Sequence, residues 1–285
     1  MIMTKFKLLS GMLLASTVSF GQINTGNNWS YSIYLGTSNL LGDLGGSNNE
    51  GASPLSDIDY QSFQPAIGLG LQRHYKSVTL SSDLTITRLE GNDAFTTSTR
   101  ASRNLSVRTD LIEATIKAEI HPFKNNTILQ GFYVNGGVGG IYFQPRAKLN
   151  DSWYNLRPLG TEGQLIENAE TYSMYNIVIP FGYGYQFKVG KFSTLKVDIT
   201  MRKLFTDYID DVSTTYANAN ALVEANGSIA QSLANRSGSE IAEGILRGNS
   251  TSNDSYFLIG LKFQRSIGQK RFDQCTNFEL PSRKR

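Results

Sequence analysis

Leu111-Ile-Glu-Ala-Thr-Ile-Lys-Ala-Glu-Ile-His121 decides how this 285-residue chain is read. Ile112, Ala114, Ile116, Ala118 and Ile120 alternate with Glu113, Thr115, Lys117 and Glu119. A two-residue period puts the first set on one face of a β-strand and the charges on the other. Two settings accept such a strand. In a soluble sandwich the charges face outward; in a membrane barrel the aliphatic face meets lipid and the charges face a polar lumen. Periodicity does not separate these cases, so the connections have to.

Seven further stretches alternate in the same way, at about Trp29–Thr37, Phe63–Arg73, Ser77–Arg88, Gln130–Phe143, Met174–Val189, Ser193–Leu204 and Ser255–Gln264. Met174–Val189 is the most regular, with Tyr175, Ile177, Ile179, Phe181, Tyr183, Tyr185 and Phe187 in one phase. Pro180 within it forfeits a ladder donor, which predicts a bulge or an irregular bond. Gly136, Gly137, Gly139 and Gly140 in the fifth stretch predict bends, or close packing of side chains from across the lumen. Tyr, Trp and Phe gather at strand ends, as interfacial girdles require. The connections run long, short, long, short, long, short, long. The short ones are Arg73–Ser77, His121–Thr127 and Gly190–Phe192; the long ones cover 38–62, 89–110, 144–173 and 205–254. A sheet in lipid must close on itself, since unpaired edge groups there have no water. The reading is therefore all-β: an eight-stranded antiparallel transmembrane β-barrel with long extracellular loops and short periplasmic turns.

The N-terminus fits that compartment. Lys5 and Lys7 precede an apolar run from Leu8 to Val18, and small residues Ser19 and Gly21 flank Phe20. This is a signal-peptide arrangement over 1–21, cut before Gln22. Residues 22–265 then form the barrel and 266–285 a polar periplasmic tail. The formal charge of +3 falls to +1 once Lys5 and Lys7 leave, which gives no argument for nucleic acid. Hydrophobic content of 40% and the lack of a second apolar run argue against a helical membrane protein. Cys275 alone cannot build a disulfide framework.

An eight-stranded barrel has a narrow interior filled by side chains. Glu113, Lys117, Glu119, Asp198, Arg202 and Lys262 are the expected lumenal network, neutralising one another as buried charges must. The 205–254 loop carries Ala217, Ala219, Ala221 and Leu222, then Ile229, Leu233, Ile241 and Ile245, at spacings that predict short amphipathic helices broken at Gly227 and Gly238. In the tail and turns, His121, Arg265, Lys270, Arg271 and Phe278 are candidate partner contacts.

Three stretches resemble the PorG-like outer-membrane barrel family of Bacteroidota. They are Tyr34–Asn39 with Leu41–Gly45, the turn His121-Pro122-Phe123, and Arg202-Lys-Leu-Phe-Thr-Asp-Tyr-Ile-Asp-Asp-Val-Ser213. The resemblance implies an accessory component of type IX secretion and gliding machinery, integral to the outer membrane with both termini periplasmic. Its implied partners are outer-membrane lipid, a periplasmic ring protein and an associated lipoprotein, with no cofactor. Within the third stretch Arg202, Thr206, Asp207, Tyr208, Asp210 and Asp211 read as a structural turn. The carboxylates match the oxygen preference of Ca²⁺ but lack the twelfth-position acid of an EF-hand loop, so no metal is assigned. Competing classes are a small porin-like channel, which needs a hydrated lumen, and a barrel hydrolase. His74 and His121, the only histidines, fall at short turns with no evident serine and acid aligned to them, so no catalytic residue is named.

Overall fold

Strand alternation is realised as wall, inside and out, in a computed structural model that describes residues 29–44, 60–75, 78–95, 99–123, 128–166 and 171–267. The strands are β1 (Trp29–Leu41), β2 (Gln64–His74), β3 (Val78–Asn92), β4 (Ser106–Ile120), β5 (Phe132–Leu149), β6 (Ser152–Asn155), β7 (Tyr175–Lys188), β8 (Ser193–Leu204) and β9 (Ser255–Ser266). Each pairs antiparallel with the next around a ring of eight, and β1 closes on β9 from Ser30↔Ser266 to Leu41↔Ser255. The ninth strand, β6, lies outside the ring and folds back on the end of β5. The signal-peptide segment and nearly all of the tail, including Lys270, Arg271, Cys275 and Phe278, lie outside the described residues.

The outer face is aliphatic and aromatic. Leu35, Ile67, Leu69, Ile112, Ile116, Val138, Ile177 and Leu261 are all exposed, Ile116 by 64%. In water that belt would be a large apolar liability, whereas in hydrocarbon it costs nothing. Closure leaves no edge to hydrate, so the architecture is a membrane-spanning barrel. No helix among the described residues is long and apolar enough to cross a membrane; strands do the crossing.

Three expectations change. The strands at the loop-bearing end outrun the sequence reading: β3 continues to Asn92, β4 begins at Ser106 and β5 reaches Leu149. A tilted crossing needs about 9–11 residues, so the 18 residues of β5 carry the wall well beyond the bilayer. Of the two outcomes expected at Pro180, the irregular bonding is present and the bulge is not. Its register with β8 is unbroken, Pro180↔Arg202 between Ile179↔Lys203 and Phe181↔Met201, while the β5–β7 ladder lapses only between Gly136↔Phe181 and Gly139↔Val178. A missing N–H removes bonds without adding a residue, so the register survives. The inward glycines Gly137 and Gly139 answer to a neighbour rather than to side chains across the lumen. A Cβ at either would strike the backbone of β4 at Ile116–Lys117 or Ala114–Thr115, whereas the outward Gly136 and Gly140 have room for one.

The 205–254 loop contains one helix, α1 (Ala219–Ala234), capped by the Asn218 side chain on the N–H groups of Asn220 and Ala221. It breaks at Gly227, whose φ of 84° is left-handed, as the sequence predicts. Leu222, Ala230, Leu233 and Ala234 are buried. Ile241, Ile245 and Leu246 are not helical; a turn at Glu243–Gly244 separates the first from the other two, and Leu246 bridges Thr215.

Candidate functional site: a filled lumen beneath a folded cap

Inward positions on neighbouring strands stack their polar groups in tiers. At the short-turn end, Ser30 Oγ lies 2.7 Å from His74 Nε2, His74 Nδ1 lies 3.0 Å from Thr79 Oγ1, and Gln72 donates to Ser32 Oγ at 2.7 Å. A serine–histidine pair is thus present, but the far nitrogen faces a threonine rather than a carboxylate and Ser30 is fully buried. This constellation is a lumen floor, without the acid that orients a hydrolytic histidine.

Above the floor sits an ionic tier. Lys196 contacts Glu119 at 2.5 Å, Lys117 contacts Asp83 at 3.2 Å, and Lys262 reaches Asp83 at 3.5 Å and Asp198 at 3.7 Å. Arg202 grips Glu113 through two parallel contacts of 3.1 and 3.2 Å, and Tyr256 donates its hydroxyl to the same carboxylate at 2.5 Å. Tyr133 donates to Asp198. Among the described residues the tier sets four carboxylates (Asp83, Glu113, Glu119, Asp198) against four cations (Lys117, Lys196, Arg202, Lys262), so it carries no net charge. Burial without pairing would be prohibitive for any of them. The six residues nominated from the sequence all face inward here. Asp83, Lys196, Tyr133 and Tyr256 were not nominated, although the alternation places Asp83 and Lys196 in the inward phase.

A pocket of about 10 Å³ in this tier is lined by Tyr34, Asp83, Lys117, Asp198, Arg202 and Lys262. That is room for roughly one water molecule. Over it lies an apolar layer of Leu40, Leu89, Leu111, Ile141, Phe143, Val178, Leu204 and Ile209. Among the described residues the ionic tier and the apolar layer together pack this level of the interior.

The long loops fold into a cap on that layer. Arg247 is buried and donates to Glu162 at 3.0 Å and to the Asp211 carbonyl at 2.5 Å. Glu162 also accepts the N–H groups of Ser213 (2.9 Å) and Thr214 (3.0 Å). Arg103 ties Asp93 to the Asp43 carbonyl, at 2.8 and 2.7 Å, and donates to the Arg247 carbonyl. A second apolar cluster of Leu44, Leu105, Val107, Leu156, Val212 and Leu233 draws on all four loops or the strand ends beside them.

The segment 206–211 is the hub. Asp210 accepts the N–H groups of Asp43 (3.0 Å), Leu44 (3.2 Å) and Val212 (3.1 Å), and Asp254 accepts that of Ile209 (3.0 Å). Asp211 takes φ 61°, a left-handed value that aspartate tolerates. Its carboxylate accepts Thr161 and Tyr172 hydroxyls at 2.5 Å each. Tyr208 stacks on Tyr172 at 4.6 Å, and the Thr206 carbonyl accepts Asp254 N–H at 3.0 Å. The segment is a turn that locks loops together, and it joins the Asp43–Leu44 stretch directly. Arg202 belongs instead to the lumen. Among the described residues no group of three His, Cys, Asp or Glu side chains is arranged to hold a metal ion. His121 is half-buried, its ring 5.6 Å from Tyr133. Arg265 is exposed on β9, opposite Tyr31 and Ser193.

Burial holds the carboxylates of this cluster above their usual range. Burial pushes Asp207 up to about 7 and Asp211 up to about 6, the latter against the pull of Arg247 and two hydroxyl donors. Burial, then neighbouring carboxylates, raises Asp210 and Asp254 as well. A raised folded pKa means the folded cap holds the proton more tightly than the open one. The stabilisation is complete below the unfolded value of about 4 and is lost as pH rises through 6–7. Amides of 206–216 and 247–254 should therefore exchange more slowly at pH 5 than at pH 8 after correction for intrinsic rates. Equal protection at both would show that these carboxylates do not govern the cap.

No family model and no curated protein matches this chain. Solved structures similar to it are small outer-membrane barrels. Neisserial surface protein A (NspA) aligns at 7% identity over 84% of this chain and 97% of that one, with a TM-score of 0.40. Ail of Yersinia pestis, solved with the heparin analogue sucrose octasulfate, aligns at 9% over 83% and 97%, with a TM-score of 0.36. The N-terminal barrel domain of Pseudomonas aeruginosa OprF aligns at 10% over 84% and 99%, with a TM-score of 0.31. Similarity at this level speaks to neither family nor activity; the barrel rests on its own closed ladder.

Proposed function

We propose that this chain is a non-conducting, non-enzymatic outer-membrane scaffold. In this reading the capped end faces outward, and the short turns and both termini face the periplasm. There it anchors or organises the periplasmic ring of a type IX secretion system. The occluded interior carries the scaffold half of the proposal. A polar floor, a neutral ionic tier and an apolar layer succeed one another beneath the cap, which is an arrangement for rigidity rather than flux. The porin-like reading would need a hydrated path past Arg202 and Tyr256, both fully buried. The partner half rests on the resemblance of 202–213 and 34–45.

The test is crosslinking and affinity purification from native outer membranes, comparing the intact chain with one cut after Ile267. The cut must spare Ser266 and Ile267, which donate to the Phe192 carbonyl (2.9 Å) and the Trp29 carbonyl (2.8 Å) and so complete the last strand. Recovery of periplasmic ring proteins by the intact chain alone assigns the contact to the tail. Recovery by both assigns it to the turns or the N-terminus. If neither recovers the ring despite correct insertion, the secretion reading falls.

A further inference from the structure

The outer wall of β3, β4 and β5 is grooved. Two grooves of about 620 Å³ each run along it, on either side of a ridge made by Ile112 and Tyr142. One is walled by Leu35, Ile67 and Ile86. The other is shallow because Ala114 and Gly140, paired across β4 and β5, present almost no side chain, and Tyr175 bounds it. Below the Arg88 level both are lined mainly by apolar side chains, as expected at membrane depth.

The upper end of the first groove is polar, its lining including Arg88, Asp110 and Gln144. Just past Ile86 and Ile112 in register come Arg88 and Asp110, and one row further come Glu90, Arg108 and Arg146. These alternate positions face outward like the belt below them, and the Arg88, Asp110 and Arg146 side chains are about one-third exposed. At the Arg88 level, β2 and β1 offer only Pro65 and Thr37. The guanidinium groups share their partners, and Arg146 Nη2 also donates to Gln144 Oε1 at 2.9 Å. Asp110 is shared, taking Arg88 Nε at 2.9 Å and Arg146 Nη1 at 3.3 Å. Arg146 Nε is buried with no hydrogen-bond partner among the described residues. Arg108 lies over the Trp153 ring at 5.0 Å, which holds its plane without neutralising it. Glu90 accepts from Gln64 at 2.5 Å. Three planar forks thus meet two carboxylates, leaving net positive charge where the wall leaves the hydrocarbon.

We infer that this face is a binding site for a phosphorylated membrane lipid with several acyl chains. Its phosphate lies on Arg88, Arg108 and Arg146, and its chains straddle Ile112 and Tyr142. Guanidinium matches phosphate bidentately, and more weakly hydrated than an ammonium it is suited to a partly desolvated interface. The first groove adjoins the head-group site and the second shares the Ile112–Tyr142 ridge with it, so a ligand with several chains covers more of this face than a single-chain amphiphile. The assignment rests on the membrane-spanning reading and places the ligand in the leaflet at the capped end.

The test is native mass spectrometry of the full chain in detergent with added lipid A, a bis-phosphorylated multi-acyl glucosamine lipid. The controls are phosphatidylcholine and inorganic phosphate. Lipid A should be retained by the wild-type chain at least tenfold more than phosphatidylcholine. R88Q/R146Q should lose that preference while keeping the heat-dependent gel mobility of a folded barrel. Gly140→Trp, which fills one groove from outside the wall, should weaken lipid A without touching an arginine. Equal retention by wild type and R88Q/R146Q overturns the site, as does full competition by millimolar phosphate, which would mean an anion site with no lipid component. Labelling of Ser252→Cys in a Cys275→Ser background on intact cells reports orientation separately. Cells that exclude the label would refute the outward cap while leaving the detergent binding result to stand or fall alone.

Discussion

Replacing Arg202 with methionine should lower the unfolding free energy of the barrel by about 3–5 kcal/mol, the usual cost of stripping one partner from a buried ion pair. Glu113 would keep the Tyr256 hydroxyl but lose both guanidinium contacts, in a tier whose charges otherwise sum to zero. A carboxylate left alone there has no water to turn to. The companion variant R202M/E113Q removes the orphaned charge and leaves an amide oxygen for Tyr256, so it should recover most of the loss. Urea titrations of refolding into lipid vesicles, read by gel mobility and tryptophan fluorescence, measure both. Equal destabilisation by the single and double variants would mean that packing volume, rather than charge pairing, is what Arg202 supplies.

Arg247→Met should act on the cap with similar force and leave the wall intact. The guanidinium lies between Glu162 and the 211 carbonyl, and it also donates to the Ala234 carbonyl at 3.3 Å at the end of α1. Removing it isolates the Glu162 carboxylate, which holds the Ser213 and Thr214 amides, beside an Asp211 whose proton affinity is already raised by burial. A loss of about 3–5 kcal/mol is comparable to the whole stability expected of a loop assembly that opens independently of the strands. Limited proteolysis should therefore cut the variant within 205–254 under conditions where the wild-type cap resists, while the barrel core still runs as folded. Unchanged resistance would show that the apolar cluster around Leu105 and Leu233 holds the cap without its buried arginine.

Much of this architecture is legible in the alternation. Period-two patterning fixed which residues of β4, β7 and β8 face in, because a one-residue slip would put Glu113 or Asp198 into lipid. The eight-strand ring followed from closure and from the long and short connections. What escaped was pairing between distant strands. Asp83 and Lys196 were in the inward phase, yet nothing local shows that Asp83 meets Lys117 and Lys262, or that Lys196 meets Glu119. The cap was less legible still. Arg247, Glu162 and Arg103 sit in irregular segments with no period to read, and their importance arises only when four loops converge. The acidic turn at 206–211 was visible as a motif; that its carboxylates bind amides from the first loop was not. Strand overrun past Arg88 and Phe143 was missed because polar outward residues such as Arg108 and Arg146 interrupt the aliphatic phase where the wall leaves the membrane.

The central claim is that this barrel is closed along its height. Single-channel recording of the intact protein in planar bilayers tests it most directly. The filled ionic tier and apolar layer predict a flat baseline, with no ion conductance above that of the bare bilayer in molar salt. Stable, reproducible conductance steps from folded wild-type protein would contradict the account and restore the porin-like reading.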